Sequence, residues 1–349
     1  MDVSQPIDVR IVEQLAYCLA KIIHSRILNP LQTDPMPSKE KLLVANKFHR
    51  ETIVKLDSQF DTHHLWKCSV KEKSELIQML QGECKAVATG SWECDRIIYN
   101  LNSLEFIAAF GVGVDGIDFD VTGKRGIKVS NTPGVLDDAV ADIAMALILA
   151  TMRGIVKADK FVRDGSWTQS LFPASHSLAG KTLGIIGLGR IGHAIVHRAQ
   201  TFKLNIAYHN RSPKPHPYSY YSSISELAAN SDILLNVLPG GDETREIIGK
   251  EAFLSLGSDG IFINVGRGSS VDEHALIEAL NQGIIAGAGL DVYANEPVVP
   301  PSLKGSENVV LLPHIGSGTI ETNRDMGNLV IKNLEAFFGG IPLVTEVAQ

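Results

Sequence analysis

The stretch KTLGIIGLGRIGHAIVHRA, residues 181–199, decides the fold of this chain. It joins an apolar run typical of a buried strand, a G-x-G-x-x-G pattern and an amphipathic helical pattern, in that order. In this setting the first glycine permits a tight turn, the second lets a pyrophosphate approach the backbone, and the third allows close helix packing. N–H groups at the helix start attract the negative charge. The stretch therefore predicts a dinucleotide-binding loop, with cofactor contacts from Gly187, Gly189, Arg190, Ile191 and Gly192.

Short runs rich in Ile, Val and Leu alternate with helical patterns on both sides of this loop, for example KLLVA and LEFIAAFG before it and DILLNVL and GIFINV after it. Strands that are apolar on both faces and separated by helices are typical of parallel sheets. We therefore predict an α/β protein with two doubly wound parallel-sheet domains, a Rossmann coenzyme domain and a flavodoxin-like substrate domain.

The predicted division of the chain follows the same alternation. Residues 1–38, with a helical pattern over 9–28, form an N-terminal extension. Residues 39–135 and 319–349 form the substrate-binding domain, and residues 136–318 form the dinucleotide-binding domain. An apolar helix over 137–153 and a last helix over 319–338 are expected to cross between the two domains.

Composition excludes several classes of protein. The chain has 349 residues and a formal net charge of -7, and its basic residues form no block that could neutralise successive phosphates, so we expect no nucleic-acid partner. Its 4 cysteines include no C-x-x-C pair, which favours a reducing, cytoplasmic location and no metal site. The longest apolar run, residues 139–152, contains an aspartate and is too short to cross a bilayer, so we expect no membrane partner.

The segment HNRSPK, residues 209–214, follows the next predicted strand, where an NAD enzyme carries an acidic residue for the adenosine ribose. An arginine there can make a charge-assisted contact to a 2′-phosphate, and a serine and a lysine can add a hydrogen bond and a further positive charge. A charged hydrogen bond of about 1.5–3 kcal/mol corresponds to roughly a 10- to 150-fold preference for NADPH. The alternative is a solvated surface turn, which the neighbouring prolines also fit. The predicted contacts are Asn210, Arg211, Ser212 and Lys214.

Three later strands each end at a polar residue: GIFINV before Arg267, GAGLDVY before Glu296, and NVVLLP before His314. Taken singly, each has an ordinary structural explanation. Arg267 could be a surface cation, Glu296 a turn residue, and His314 a histidine with a purely structural role. Ligands of open parallel sheets lie beyond the carboxyl ends of the strands, so three such residues after a dinucleotide loop are expected to converge on the nicotinamide.

The segments GLGRIG, NVGRGSSVDEHALIEAL, GAGLDVYANEP and LLPHIGSGT resemble the D-isomer-specific 2-hydroxyacid dehydrogenase family, and within it the hydroxypyruvate, glyoxylate and hydroxyphenylpyruvate reductases. The resemblance extends from about residue 41 to the C-terminus. It implies that Arg267 binds the substrate carboxylate and carbonyl, that His314 is the acid–base catalyst, and that Glu296 pairs with His314.

These roles suit the reduction of a 2-oxoacid, in which negative charge develops on the carbonyl oxygen. A proton donor and a fixed cation should both reach that oxygen, and His314 and Arg267 are the candidates. Glu296 beside the imidazole would favour its protonated form.

The resemblance also implies contacts around the substrate and the nicotinamide. The backbone N–H groups of Val112 and Gly113, in AFGVGVD, would hold the substrate carboxylate, although the glycines there also fit a simple strand-to-helix turn. Trp92 is a candidate for the mouth of the substrate site, with ordinary packing as the alternative. The remaining predicted cofactor contacts are Leu238, Pro239, Thr244, Val265, Asp291 and Gly316. The GGD at 240–242 departs from the PLTPET-like form common in the family.

The sequence thus predicts an NADPH-preferring reductase, able to use NADH, that converts small 2-oxoacids such as glyoxylate, hydroxypyruvate or an aryl pyruvate to D-2-hydroxyacids. Two alternatives remain open at this point. One is an oxidative, NAD-dependent member of the family, and the other is a dinucleotide-sensing protein similar to the C-terminal-binding-protein corepressors. Helix 137–153 and the segment 167–180 resemble the dimer contacts of the family, so we expect a homodimer, although the same residues could instead bridge the two domains.

Overall fold

The computed structural model describes residues 39–92 and 94–348, and the prediction of an N-terminal extension over 1–38 lies outside them. A first sheet is entirely parallel, with the strand order β2-β1-β3-β4-β5 of flavodoxin-like folds. Its strands are β1 (Lys41–Val44), β2 (Asp61–His64), β3 (Ala86–Gly90), β4 (Phe106–Phe110) and β5 (Lys128–Ser130). Every residue of β3 and β4 is buried, as expected for central strands covered on both faces.

Three α-helices of the described residues lie between these strands: α1 (Arg50–Gln59), α2 (Val70–Met79) and α3 (Phe119–Arg125). Helix α2 begins with a capping box, in which the side chains of Ser69 and Glu72 each accept a hydrogen bond from the backbone of the other. Helix α3 ends at Gly126, whose φ of 65° is left-handed and therefore suits glycine.

The second sheet is also parallel and has the order β12-β11-β10-β9-β6-β7-β8. Its strands are β6 (Thr182–Ile186), β7 (Asn205–His209), β8 (Ser219–Tyr220), β9 (Ile233–Asn236), β10 (Ile261–Asn264), β11 (Gly287–Leu290) and β12 (Val309–Leu311). Strand β6 pairs with β7 on one side and β9 on the other, so the direction of strand order reverses there. This is the Rossmann arrangement, and ligands bind outside the strand ends at such a switch point.

The remaining α-helices of the described residues are α4 (Asp137–Met152), α5 (Ile155–Arg163), α6 (Arg190–Thr201), α7 (Ile224–Ala229), α8 (Lys250–Leu256), α9 (Glu273–Asn281), α10 (Pro301–Lys304) and α11 (Ile320–Phe338). Helix α4 packs against α6 and the second sheet. Helix α11 returns to the first sheet, where Phe337 stacks on Phe106 with ring centroids 4.9 Å apart. The predicted fold class is confirmed; the domain boundaries at 135/136 and 318/319 stay predictions.

Helix α4 is strongly apolar, and 8 of its 16 residues are buried. Among the described residues, no single helix is long and apolar enough to cross a membrane. Only α4 and α5 taken together meet that test, with a bend of 60° between them.

Candidate active site

A cleft of about 370 Å³ lies beyond the carboxyl ends of the strands and contains most of the predicted site residues. It is lined by residues that follow strands of both sheets, including Arg267 and His314. The predicted residues that line it are Trp92, Val112, Gly113, Gly187, Gly189, Arg190, Ile191, Gly192, Leu238, Pro239, Val265, Arg267, Asp291, His314 and Gly316. Those that do not line it are Asn210, Arg211, Ser212, Lys214, Thr244 and Glu296.

The glycine loop has the geometry that a pyrophosphate requires. Gly187 has a φ of +99°, which L side chains rarely adopt, and a Cβ on Gly192 would lie 2.9 Å from the Gly187 carbonyl oxygen. A Cβ on Gly189 would meet nothing within 4 Å, so the loop is open on that side. Helix α6 begins directly after Gly189, without a side-chain cap, so its first N–H groups can serve an anion. The loop therefore fits a dinucleotide.

The basic segment after β7 lies beside this loop. The side chain of Asn210 binds the glycine loop, because its Oδ1 accepts a hydrogen bond of 2.7 Å from the backbone N–H of Leu188. The side chain of Arg211 is 90% exposed and pairs with Glu243 at 2.9 Å, an acidic partner that the sequence did not reveal. The hydroxyl of Tyr208 hydrogen-bonds both the N–H and the carbonyl of Lys214, at 2.9 and 3.0 Å. Hydrogen bonds thus hold Asn210 and the backbone of Lys214 in place, while Arg211 and Lys214 are exposed.

Thr244 does not line the cleft, unlike Leu238 and Pro239 of the same turn. Its hydroxyl donates to the Pro239 carbonyl at 2.8 Å. It therefore stabilises the turn after β9, while Leu238 and Pro239 line the cleft.

His314 and Glu296 form a hydrogen-bonded pair, with 2.6 Å between Nδ1 and Oε2. The second carboxylate oxygen of Glu296 accepts the N–H of Tyr293 at 3.0 Å. Burial raises the pKa of Glu296, but the hydrogen bond and charge of His314, with the Tyr293 N–H, outweigh burial and leave it below its usual value. Since Nδ1 faces the carboxylate, Nε2 is the ring nitrogen left for proton transfer. The ring of Trp92, 49% exposed, lies 5.5 Å from the imidazole between centroids.

Asp291 fixes the turn that carries His314. Its carboxylate accepts hydrogen bonds of 2.8 Å from the backbone N–H groups of Ile315 and Gly316, and its carbonyl accepts that of His314. His314 has a φ of 54°, in the left-handed region, so the turn needs this support. Burial raises the pKa of the Asp291 carboxyl, and the two N–H donors offset this only in part.

Arg267 reaches across the cleft towards the loop after β4. Its Nε donates to Asp115 at 2.5 Å, and its Nη1 donates to the Gly266 carbonyl at 2.8 Å. Its Nη2 lies against Gly113, since a Cβ there would be 1.7 Å from this nitrogen. The N–H groups of Val112 and Gly113 have no backbone acceptor among the described residues. Two backbone amides without a backbone acceptor and a guanidinium nitrogen beside Gly113 are therefore available to a carboxylate.

Three buried polar side chains hold the backbone beneath Arg267. Asn236 donates to Asn264 at 2.9 Å and to Ser270 at 2.8 Å. Asn264 and Ser270 in turn donate to the Arg267 carbonyl, at 3.1 and 2.7 Å. This network was not predicted, although an asparagine near the end of each of two successive apolar runs, DILLNVL and GIFINV, was a signal for it. Among residues 39–92 and 94–348, no group of three or more His, Cys, Asp or Glu side chains could hold a metal ion.

Comparison with known proteins agrees with this geometry. The sequence model of "D-isomer specific 2-hydroxyacid dehydrogenase, NAD binding domain" matches residues 145–316. A hydroxyphenylpyruvate reductase of Plectranthus scutellarioides is 46% identical over 298 residues, which are 84% of this chain and 94% of that protein. A glyoxylate/hydroxypyruvate reductase A of Arabidopsis thaliana is 45% identical, with 84% and 94% covered.

A solved structure shows the same architecture. It is the NADPH-dependent glyoxylate/hydroxypyruvate reductase of Sinorhizobium meliloti in complex with NADP and malonate, which is 38% identical. It superposes with a TM-score of 0.82, covering 89% of this chain and 97% of that one. This chain therefore belongs to the D-isomer-specific 2-hydroxyacid dehydrogenase family and is an NAD(P)-dependent oxidoreductase.

Proposed function

We propose that this protein is an NADPH-preferring reductase that converts glyoxylate, hydroxypyruvate or an aryl pyruvate to the D-2-hydroxyacid. The observation that carries the proposal is that the Arg267 guanidinium and the Glu296-paired imidazole of His314 line one cleft with the glycine loop. The names of the relatives support these substrates.

The chemistry assigned to the residues follows from their positions. When bound, the reduced nicotinamide supplies the hydride. The Val112 and Gly113 N–H groups and Arg267 Nη2 bind the substrate carboxylate. Arg267 also stabilises the negative charge that develops on the carbonyl oxygen, and His314 Nε2 donates the proton to it. Glu296 holds the ring through Nδ1 and leaves Nε2 for the proton transfer.

The preference for NADPH is supported by charge. No acidic residue occurs in HNRSPK, and Arg211 and Lys214 are exposed beside the glycine loop. The side chain of Arg211 is free to exchange Glu243 for a 2′-phosphate, because an exposed ion pair contributes little to stability. The solved relative is described as NADPH-dependent.

The proposal includes a homodimer and a cytoplasmic location. None of the residues of α5 is buried, and Ile155, Val156 and Val162 are 50%, 56% and 55% exposed. On the following segment Trp167 and Leu171 are 64% and 87% exposed. Such an apolar surface favours a partner, and a second copy is the one proposed. Light scattering coupled to gel filtration should give twice the mass of one chain; a monomer would contradict the dimer.

Steady-state kinetics with glyoxylate, hydroxypyruvate and hydroxyphenylpyruvate, each with NADPH and with NADH, test the proposal. We expect turnover of at least one substrate, with kcat/KM roughly 10- to 150-fold higher for NADPH, as one charged hydrogen bond to the 2′-phosphate allows. Equal use of both cofactors would contradict the preference. Absence of turnover on all substrates would contradict the proposed activity.

A further inference from the structure

We propose that Asp115 is a positioning residue, which holds the Nε edge of Arg267 so that Nη2 faces the substrate carboxylate. Asp115 belongs to the loop after β4 of the first sheet, whereas Arg267 follows β10 of the second. The contact therefore joins the two sides of the cleft. The inference deepens the proposed function and rests on it, because the role of Asp115 depends on Arg267 binding the carboxylate of a 2-oxoacid.

The guanidinium is held at two of its three nitrogens. Asp115 accepts from Nε at 2.5 Å and the Gly266 carbonyl accepts from Nη1 at 2.8 Å. The third nitrogen lies against Gly113, beside the amide N–H groups assigned to the carboxylate. An arginine side chain has four rotatable bonds, so a partner on each of two edges removes most of the orientations that would turn Nη2 away.

The carboxylate of Asp115 has close neighbours on two sides. A Cβ on Gly240 would lie 2.7 Å from its Oδ1, and a Cβ on Gly113 would lie 3.0 Å from its Oδ2. The loop that carries it is tied down at Gly116, whose N–H donates to the Ser91 carbonyl at 3.0 Å. The side chains of Arg267 and Asp115 are 22% and 27% exposed, so their contact is partly shielded from water. These contacts restrict the position of the Asp115 carboxylate, which in turn accepts from the Nε edge of Arg267.

The opposite role would be competition, in which the Asp115 carboxylate takes the place of the substrate carboxylate. The geometry favours positioning, because Asp115 accepts from Nε while Nη2 lies beside Gly113. The two roles predict opposite signs. Removing a competitor lowers KM for the 2-oxoacid, whereas removing a positioning group raises KM and lowers kcat.

The experiment compares wild type, Asp115→Ala and Asp115→Asn. Steady-state kinetics are measured with NADPH and each of hydroxypyruvate, glyoxylate and hydroxyphenylpyruvate, and the NADPH dissociation constant is measured by fluorescence titration. We expect Asp115→Ala to lower kcat/KM at least about 10-fold, as loss of an oriented charged contact predicts. Asp115→Asn should recover part of this loss, because its amide oxygen can still accept from Nε. The NADPH dissociation constant should not change. Asp120→Ala, an exposed carboxylate on α3 outside the cleft, is the matched control.

A mutant cycle separates positioning from a general structural effect. In an Arg267→Ala background, Asp115→Ala should cause no further loss, because the residue through which it acts is gone. The same loss in both backgrounds, a lower KM, or unchanged kinetics in Asp115→Ala would each overturn the inference. If the wild type is active, such a result leaves the proposed function intact; a wild type that reduces none of the three 2-oxoacids overturns both.

Discussion

Substituting Gly113 by alanine should damage catalysis while leaving the fold intact. The added Cβ would lie 1.7 Å from Nη2 of Arg267 and 2.7 Å from its Cζ. An ordinary contact begins at 3.4 Å, so the guanidinium must retreat by about 1.7 Å. The φ of Gly113 is not left-handed, and the crowded atoms are the end of a flexible side chain, so the backbone can accept alanine.

The size of the effect follows from that displacement. A shift of this size takes Nη2 out of hydrogen-bond range of a carboxylate bound at the Val112 and Gly113 amides. Loss of a charged hydrogen bond of about 1.5–3 kcal/mol lowers kcat/KM roughly 10- to 150-fold. A misplacement of about 1 Å at a reacting centre can by itself cost about 100-fold. We therefore expect a loss near the upper end of that range, with little change in stability.

Steady-state kinetics, NADPH titration and thermal unfolding of Gly113→Ala provide the assay. The control is Gly249→Ala, since that Cβ would have no contact closer than 3.9 Å and Gly249 lies outside the cleft. The reasoning is refuted if Gly113→Ala keeps the kcat/KM of the wild type. It is also refuted if NADPH affinity falls as much as kcat/KM, because the Cβ would then act on the cofactor and not on Arg267.

Three further outcomes are expected. Arg211→Ala should lower kcat/KM with NADPH roughly 10- to 150-fold but leave NADH kinetics unchanged, as one contact to the 2′-phosphate predicts; an equal loss with both cofactors would argue against that contact. Asn236→Ala should reduce the free energy of unfolding by about 1–3 kcal/mol in urea titrations, because it unpairs buried polar groups, and no reduction would count against the network. The pKa of Glu296 is raised by burial but lowered further by His314, so its net value in the folded protein lies below the 4.5 of an unperturbed Glu. Folding then releases a proton from Glu296. The contribution of the Glu296 carboxylate to the free energy of unfolding is therefore present above about pH 4.5 and lost as pH falls through the folded pKa. The difference in unfolding free energy between wild type and Glu296→Gln should therefore shrink below about pH 4.5, and a difference independent of pH would contradict the assignment.

Much of the fold could be predicted because buried parallel strands leave continuous apolar runs in the sequence. All five residues of β4 are buried, for example, and its run LEFIAAFG indicated a strand. The strands β5 and β8 were not predicted, since they have three and two residues at the edges of their sheets. Two or three residues are too few to show the apolar periodicity of a strand. Pairing with the neighbouring strand, not the local sequence, makes these residues a strand.

The site was predictable where a strand end fixes a residue and less so where a contact joins distant segments. Arg267 and His314 follow β10 and β12, so strand order alone brings them to one cleft. The contact between Asp115 and Arg267 spans 152 positions and depends on how the two sheets face each other. The Arg211–Glu243 pair likewise depends on two loops that no period or motif relates.

The central claim is that the imidazole of His314, oriented by Glu296, donates the proton to the carbonyl oxygen beside Arg267. The most direct measurement is the turnover number of His314→Ala with NADPH and the best 2-oxoacid, alongside NADPH affinity by fluorescence. We predict turnover at least about 100-fold lower than wild type, with NADPH binding retained. Turnover close to that of the wild type would contradict the claim.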